Sequence, residues 1–465
     1  MASSSAVDLD DRTAQLIADA LAQHGVEHLG YACHLSGRAV VAIPAERQAA
    51  ATEALRSVSS DVVGRTATFE TIRDLPMAVE HWSPAWQDRL VVYGAGSRAS
   101  EQAGCEVQLW TRTDDRVRAP GPTPWGSWFP ADVFSPGAAW PPPVPMDRVT
   151  FPIDVVYTWV DDADPQWRER RDQTLREEGR PPLGRMAHGA FLYRNRDELR
   201  YSLRTLERFA PFVRRVHLVT AGQVPAWLDT TNPRLRVVDH EEIFLDPAHL
   251  PTFNSHAIEA NLHRIEGLSE HFLYCNDDYF FARPLQPETF FHANGLARCF
   301  PSRAQIPPGP VTEADPGVDV AAKNGRDCLL DAFGRRVTQK FKHAPHALRR
   351  SVLTELEERF PDRVRATSSH RFRHPDDLSL AASLAHHYGL LTGATVTGGI
   401  RYDYVWLDEL DRVTGQLRGI LEERALDAFC LNDAEPPEDQ RQALDDAVVS
   451  FLEQYVPEPS EFERG

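Results

Sequence analysis

Residues 271–278 read HFLYCNDD, and this stretch decides the fold of the chain. A short apolar run that ends in polar residues is typical of a buried strand whose last residues reach an open edge of a sheet. Three runs of the same kind come earlier in the sequence: IDVVYTWV (153–160), VRRVHLVT (213–220) and LRVVD (235–239). Together they predict the strands of one sheet.

Two segments between these runs have the apolar spacing of helices. They are residues 198–209 and 256–268. Alternating strands and helices indicate a mostly parallel sheet with helices on both faces, an α/β fold. Ligands of such sheets bind at the carboxyl ends of the strands. We therefore expect Asp161, Asp162 and the run Asn276–Asp277–Asp278 at one rim.

The rest of the chain divides by composition into regions. Residues 1–118 are predicted to form a small α/β domain of unknown role. Proline clusters over 119–150, APGPTP and WPPPVP, predict an extended connector. Residues 151–465 are predicted to form the larger region, which carries the functional site and in which 325–392 reads as a helical insertion. A last amphipathic helix is expected over 437–455.

The segment LVVYGAGSRA (90–99) imitates the start of a dinucleotide-binding site. Only about seven residues separate its turn from the next strand-like run, and a parallel crossover needs more than about ten. A glycine turn is therefore the better interpretation.

Composition excludes several classes of protein. The formal net charge of −18 disfavours nucleic acid or an anionic membrane as the main partner. The six cysteines form no C-x-x-C pair, which favours a reducing compartment. Neither a signal peptide nor a membrane span is recognised, so a cytoplasmic location is predicted. Metalloprotease, nucleophile-elbow and P-loop motifs are also missing from the sequence.

Acidic residues at strand ends are candidates for a metal site. Asp277 and Asp278 follow one apolar run, and Asn432–Asp433 follows another, FCL, at 429–431. Hard divalent cations take carboxylate oxygens together with substrate phosphates. The alternative for either site is an ordinary turn or helix cap.

Two basic segments are candidates for phosphate chemistry. KFKHAPHALRR (340–350) carries His343 and His346 ahead of a predicted helix, and either ring could exchange a proton with a hydroxyl. SSHRFRHPDD (368–377) places arginines ahead of a second helix start at Pro375, where they could bind phosphate. Surface histidines and arginines are the alternative interpretation.

These segments together resemble the Stealth family, which includes bacterial capsular hexose-1-phosphate transferases and the catalytic region of the animal GlcNAc-1-phosphotransferase. Four blocks match in order. They are IDVVYTWVDDADP (153–165), the long run over 199–281, FKHAPHAL with FRHPDDLS within 341–379, and FCLND (429–433). The long second block is the most specific of the four.

The resemblance implies a GT-A-like, Rossmann-type fold and a set of site residues. The implied catalytic residues are Asp278, His343 and Arg373. Asp278, Asn432 and Asp433 would bind a divalent metal, Mg²⁺ or Mn²⁺. The implied substrate-binding residues are Asp154, Trp159, Asp161, Arg204, Asn254, Ser255, Asp277 and His374. Spacing alone does not choose between the histidines at 343 and 346, and we favour His343.

The resemblance also implies an activity. The enzyme would transfer a hexose-1-phosphate, such as GlcNAc-1-phosphate, from a nucleotide sugar, UDP-GlcNAc first among candidates, to a saccharide hydroxyl. A nucleoside monophosphate would leave. The alternatives are a glycosyltransferase that releases a nucleoside diphosphate, and a non-catalytic carbohydrate-binding protein. The nucleotide, sugar and acceptor stay open, as does assembly into a homo-oligomer.

Overall fold

The computed structural model describes residues 12–33, 38–58, 68–71, 76–78, 89–93, 105–123, 125–140, 142, 144–179 and 193–464. The chain folds into two compact units. One consists of Met1–Arg148 with the short pieces Arg283–Gln286 and Gln454–Pro457, and the other contains the remaining residues. In the described residues, no helix has the length and apolar character needed to span a membrane.

The first unit is a small α/β domain, as predicted. Its helices are α1 (Arg12–Gln23) and α2 (Gln48–Val58). Its strands are β1 (Leu29–Cys33), β2 (Arg38–Pro44), β3 (Thr68–Thr71), β4 (Pro76–Ala78), β5 (Arg89–Tyr93), β6 (Cys105–Arg112), β7 (Arg116–Thr123) and β8 (Gly126–Pro130). They form one sheet in the order β1-β2-β6-β5-β3-β4, with β7 pairing β6 and β8.

The glycine segment after β5 does not lie in a dinucleotide-binding unit. Strand β5 pairs with β6 in the antiparallel sense, whereas a dinucleotide-binding crossover joins parallel strands. The glycines at 94 and 96 themselves lie outside the described residues. The pairing agrees with the interpretation as a turn.

The prediction of an extended connector over 119–150 is wrong for its first half. Strands β7 and β8 form an antiparallel pair there, and Phe134 and Trp140 are buried beyond them. Proline is compatible with strands at a sheet edge or an irregularity. The β7–β8 ladder is indeed irregular between Arg118 and Thr123, where Pro120 lies. Composition alone could not show that these prolines belong to a sheet.

The second unit is built on a five-stranded sheet. Its strands are β9 (Ile153–Thr158), β10 (Val213–Thr220), β11 (Leu235–Asp239), β12 (His271–Asn276) and, after a long interval, β17 (His346–Arg349). The order is β11-β10-β9-β12-β17. The first four are parallel, which confirms the predicted sheet, and β17 runs antiparallel to β12.

The helices of this unit are not everywhere as predicted. They are α3 (Pro165–Glu178), α4 (Glu198–Phe209), α5 (His240–Ile243), α6 (Ser255–Glu259), α7 (Gly317–Phe333), α8 (Arg350–Arg359), α9 (Pro361–Ser369), α10 (Ala385–Thr392), α11 (Leu410–Glu423) and α12 (Arg441–Tyr455). Helix α4 has the predicted bounds. The helix predicted over 256–268 is instead α6 and a 3₁₀ turn at Leu262–Arg264. Asn261 lies at the break, where its side chain donates to the Ala257 carbonyl in place of a regular helix contact.

The helical insertion expected over 325–392 is interrupted. Strand β17 lies between His343 and α8, so no helix begins directly after the HAPH motif. Pro375 likewise starts no helix; a π-helical turn begins at Leu380. The apolar faces of α8 and α10 pack with β12 and β17 in one core, which includes Phe272, Leu348 and Leu353.

Three smaller sheets complete the unit. Strands β13 (Tyr279–Phe281), β20 (Ala428–Asp433) and β19 (Tyr402–Leu407) form one of them. The others pair β14 (Ala297–Cys299) with β18 (Thr395–Thr397) and β15 (Pro301–Gln305) with β16 (Gln339–Phe341). Because β13 follows β12 after two residues, its pairing with β20 brings the end of β20 to the carboxyl edge of the central sheet.

Candidate active site

Two strand ends meet in an acidic cluster, which we define as Asp277, Asp278, Asp433 and Glu198. Tyr279 pairs with Cys430, and the Leu431 amide donates to the Asp278 carbonyl at 3.1 Å. The Cys430 thiol donates to Asp278 Oδ2 at 3.3 Å. The structure thus joins the two predicted metal-binding segments.

Arg196 organises one side of the acidic cluster. Its guanidinium donates to Asp433 Oδ1 at 2.6 Å, to Glu198 Oε1 at 2.7 Å and to Asp445 Oδ1 at 2.5 Å, and its side chain is only 6% exposed. The sequence analysis missed both Arg196 and Glu198. The signal that could have found them is a run of charged residues directly before the apolar helix α4.

The carboxylates of the cluster repel one another. Burial is the main cause that raises the pKa of Asp278 to about 7, and the charges of Asp433 and Glu198 add to it. Burial likewise raises the pKa of Asp433 to about 6, although Arg196 opposes the shift. Burial and the Asp278 charge raise the pKa of Asp277 well above its usual range. A positive charge among these groups would offset both the energetic cost of burying ionised carboxylates and their mutual repulsion.

The donor set of the cluster fits a hard divalent cation. Its ligand atoms are carboxylate oxygens, and Asp278 Oδ1 is buried without a hydrogen-bond partner in the described structure. Within the described ranges, no three His, Cys, Asp or Glu side chains are arranged as a preformed metal centre. Mg²⁺ is commonly held by one or two carboxylates plus substrate phosphates, so two aspartates and a bound diphosphate would suffice.

The two histidines of the HAPH motif have different surroundings. His343 is exposed, and its ring lies 5.4 Å from Tyr404 and 6.2 Å from Tyr279, measured between ring centroids. Surrounding protein and the Lys340 charge lower its pKa to about 4, so the ring is neutral at pH 7. His346 is buried in β17, where Nδ1 lies 3.0 Å from Nε2 of His386. Only His343 is accessible to an acceptor.

Arg373 lies in a second group of predicted site residues. Its guanidinium donates to Ser255 Oγ at 2.6 Å and to the ring of His256. Asn254 caps helix α6, and both its side chain and the His374 amide donate to Asp377, at 2.9 and 3.0 Å. The structure therefore brings Asn254, Ser255, Arg373 and His374 together.

Tyr274 lies on β12, close to the carboxyl end of that strand. Its hydroxyl donates to Asn276 Oδ1 at 3.1 Å, directly before the acidic cluster. Burial raises the pKa of Tyr274 well above its usual range, and the positive charge of Arg373 opposes that shift. The charge of Arg373 thus acts on the Tyr274 hydroxyl.

The loop after β9 is held in place by Gln223. The Asp161 amide donates to Gln223 Oε1 at 3.1 Å, and Gln223 Nε2 donates to the Asp161 carbonyl at 2.9 Å. Trp159 is buried at the start of this loop, and its amide donates to the Val219 carbonyl. Trp159 and Asp161 therefore lie at the carboxyl edge of the sheet, the rim at which Asp161 was expected.

Two predicted substrate-binding residues are not brought to this edge. Arg204 is buried and donates through Nε and Nη2 to Glu463, at 2.6 and 2.8 Å. Asp154 lies near the amino end of β9, four residues or about 13 Å before its last residue. It accepts hydrogen bonds from Arg214 and the Ser269 amide. The resemblance implied a donor-site role for Asp154, whereas the strand places this residue near the opposite edge of the sheet.

We expect Asp154→Asn to reduce stability and leave catalysis unchanged. Hydrogen bonds hold the pKa of Asp154 well below its usual range despite burial. Its contribution is therefore present above the unfolded-state pKa and is lost as pH falls. Because Arg214 is nearly half exposed, water replaces part of the lost contact. We expect the free energy of unfolding to fall by about 1–3 kcal/mol at pH 7, and less at pH 3. Urea unfolding measures this change in free energy. A higher KM for the donor in Asp154→Asn would contradict a purely structural role for Asp154.

Comparison with known proteins agrees with the resemblance seen in the sequence. The four conserved regions of the Stealth protein family match residues 151–179, 192–299, 342–390 and 418–465, in the order conserved region 1 to conserved region 4. All the segments that form the candidate site fall within these matches. The chain belongs to the Stealth protein family.

Two relatives of this chain are exopolysaccharide phosphotransferases. SCO6023 of Streptomyces coelicolor is 50% identical over 321 residues, which are 68% of this chain and 53% of the relative. CpsY of Mycobacterium tuberculosis is 34% identical over 432 residues, which are 90% of this chain and 80% of the relative. The chain thus spans about half the length of the first of these relatives.

Among solved structures, the galactosyltransferase LgtC in complex with donor and acceptor sugar analogues matches 66% of this chain and 98% of its own. The sequence identity is 11% and the TM-score is 0.31. A likeness at this level establishes neither a shared activity nor a shared metal.

Proposed function

We propose that this protein transfers a hexose-1-phosphate from a nucleotide sugar to a saccharide hydroxyl during exopolysaccharide synthesis. The observation that carries the proposal is the junction of β12–β13 with β20, which gathers Asp277, Asp278 and Asp433 at a sheet edge, beside Glu198 at the start of α4. The names of the relatives support the phosphotransferase class. UDP-GlcNAc is the donor to be tested first. In the described part of the chain, five cysteines are buried thiols, which supports a reducing, cytoplasmic location.

In this proposal the acidic cluster holds the donor diphosphate. Asp278, Asn432 and Asp433 would bind Mg²⁺ or Mn²⁺, whose charge offsets that of the diphosphate and of the leaving nucleotide. Arg196 fixes the orientation of the Asp433 carboxylate through its hydrogen bond at 2.6 Å. The loop that contains Trp159 and Asp161 lies at the same edge and would contact the nucleotide.

His343 would accept the proton of the acceptor hydroxyl. Its ring is neutral at pH 7 and exposed, so Nδ1 or Nε2 offers a lone pair. The hydroxyl oxygen attacks the β-phosphorus, and the bond from that phosphorus to the α–β bridging oxygen breaks. The products are a sugar phosphodiester and a nucleoside monophosphate. Arg373 would stabilise the phosphoryl oxygens as charge develops on them.

The position of bond cleavage tests this proposal. Full-length protein is incubated with Mg²⁺, UDP-GlcNAc labelled in the β-phosphate, and a panel of oligosaccharide acceptors. We expect release of UMP, with the label in a phosphodiester that phosphorus NMR detects. Attack at the anomeric carbon would release labelled UDP instead and identify a glycosyltransferase. Donor that binds but is never consumed would support the carbohydrate-binding alternative.

A further inference from the structure

Asp377 is a carboxylate at the end of the segment 368–377, which also carries Arg373. Its side chain is only 1% exposed. Oδ2 accepts from Asn254 Nδ2 at 2.9 Å and from the His374 amide at 3.0 Å. Oδ1 lies 2.8 Å from Nδ1 of His370. Burial alone would raise the pKa of Asp377, but its hydrogen bonds with His256 and His370 hold it well below the usual range. Asp377 is therefore ionised and acts only as an acceptor.

His256 lies between Asp377 and Arg373. Its Nδ1 is 3.3 Å from Asp377 Oδ2, while Arg373 Nη1 is 2.5 Å from Nε2 and 3.1 Å from Nδ1, so Nε2 is the nearer of the two ring nitrogens to the guanidinium. A guanidinium can only donate, so the ring must present a lone pair to it. An ionised carboxylate can only accept, so Nδ1 must carry the proton. The two partners together select one neutral tautomer of His256.

The ring is also kept neutral by its surroundings. His256 is buried, and burial is the main cause that lowers its pKa, with the Arg373 charge adding to the shift. A second proton on the ring would remove the acceptor and place two positive charges in contact. The arrangement is stable only as carboxylate, neutral imidazole and guanidinium.

We propose that His256, oriented by Asp377, is a positioning residue that fixes the guanidinium of Arg373. The imidazole accepts from Nη1, and Ser255 Oγ accepts from Nη2 at 2.6 Å, so both terminal nitrogens of the guanidinium are held. This inference rests on the proposed function, in which Arg373 contacts phosphoryl oxygens. Misplacement of such a group by about 1 Å can cost about 10²-fold in rate.

The test compares two replacements of His256 in the full-length protein. In His256→Gln the side-chain oxygen can accept from Arg373 while the amide nitrogen donates to Asp377, whereas His256→Phe fills the space without either contact. Inorganic pyrophosphate serves as the probe, and its affinity is measured by titration calorimetry. His240→Phe is the matched control, since His240 is also a buried histidine but lies on α5. Arg373→Gln shows how far the affinity for pyrophosphate falls when the guanidinium is absent.

We expect His256→Phe to weaken pyrophosphate binding about tenfold, close to Arg373→Gln, while His256→Gln and His240→Phe stay within about twofold of wild type. Long-range ¹⁵N spectra of histidine-labelled protein should show a neutral, Nδ1-protonated ring whose signals disappear in His256→Gln. In transfer assays, His256→Phe should lower kcat more than it raises KM.

Several results would overturn the inference. One is wild-type affinity for pyrophosphate in His256→Phe, and another is an equal loss of affinity in the Gln and Phe variants with equal falls in Tm. A His256 ring protonated at Nε2 would also contradict it, as would a wild-type protein that does not bind pyrophosphate. Failure of the proposed function has a different signature. If pyrophosphate binding and the His256 tautomer are as expected but no label is transferred from the donor, the transferase proposal is rejected and the positioning role of His256 is retained.

Discussion

Removal of divalent cations with excess EDTA should abolish turnover, and added Mg²⁺ or Mn²⁺ should restore it. The physical reason is the acidic cluster, in which burial and repulsion raise the pKa of Asp278 to about 7 and of Asp433 to about 6. A diphosphate would bring further negative charge to the same place. Without a cation, donor and carboxylates would repel each other. The measurement is the rate of nucleotide release after dialysis against chelator, followed by metal titration.

Binding of the cation alone can be measured without turnover. Isothermal titration with Mn²⁺ in the presence of pyrophosphate should show a site that weakens at least tenfold in Asp278→Asn. Asp445→Asn is a suitable control, because Asp445 also contacts Arg196 but is not assigned to the metal. Full activity in excess EDTA would remove the metal from the mechanism.

Replacing His343 with alanine should lower kcat by a factor of about 10²–10⁴, the usual contribution of a general base. Donor affinity should stay close to that of wild type, because the ring is assigned to the acceptor proton. The exposure of His343 and the burial of His346 give opposite expectations for the two variants. Single-turnover rates and donor Kd measure the two effects separately.

His346→Ala is the comparison for this prediction. It removes a buried ring that contacts His386 at 3.0 Å, so we expect a lower Tm and a smaller change in kcat. If His346→Ala has the larger effect on kcat at a temperature where both variants are folded, then the buried histidine pair carries the proton.

Local patterns predicted the parts of the fold that depend on neighbouring residues. The bounds of β10, β11 and α4 agree with the predicted ones, because the apolar runs and spacing that mark them lie within each segment. Residues at strand ends, such as Asp278 and Asp433, were likewise recognisable. Periodicity did fail at 256–268, where Asn261 interrupts a stretch with good helical spacing.

What the sequence could not predict depends on contacts between distant segments. Nothing near His346 indicates that it belongs to a fifth strand beside β12, since that pairing joins residues more than seventy positions apart. Asp377 looked like an acid in the first turn of a helix, and no helix begins there. Its hydrogen bonds come from 254, 256, 370 and 374, two segments far apart in sequence.

The pairing of β13 with β20 has a consequence for how the protein is made. Cys430 and Asp278 are 152 positions apart. Bacterial ribosomes add about 5–20 residues per second, so roughly 8–30 s pass between synthesis of the two halves of the acidic cluster. Throughout that interval the parallel strands of the central sheet have already been synthesised, while Asp433 has not. A nascent chain therefore carries Asp278 without its counterpart, and we expect it to acquire activity only once β20 has left the ribosome and joined β13.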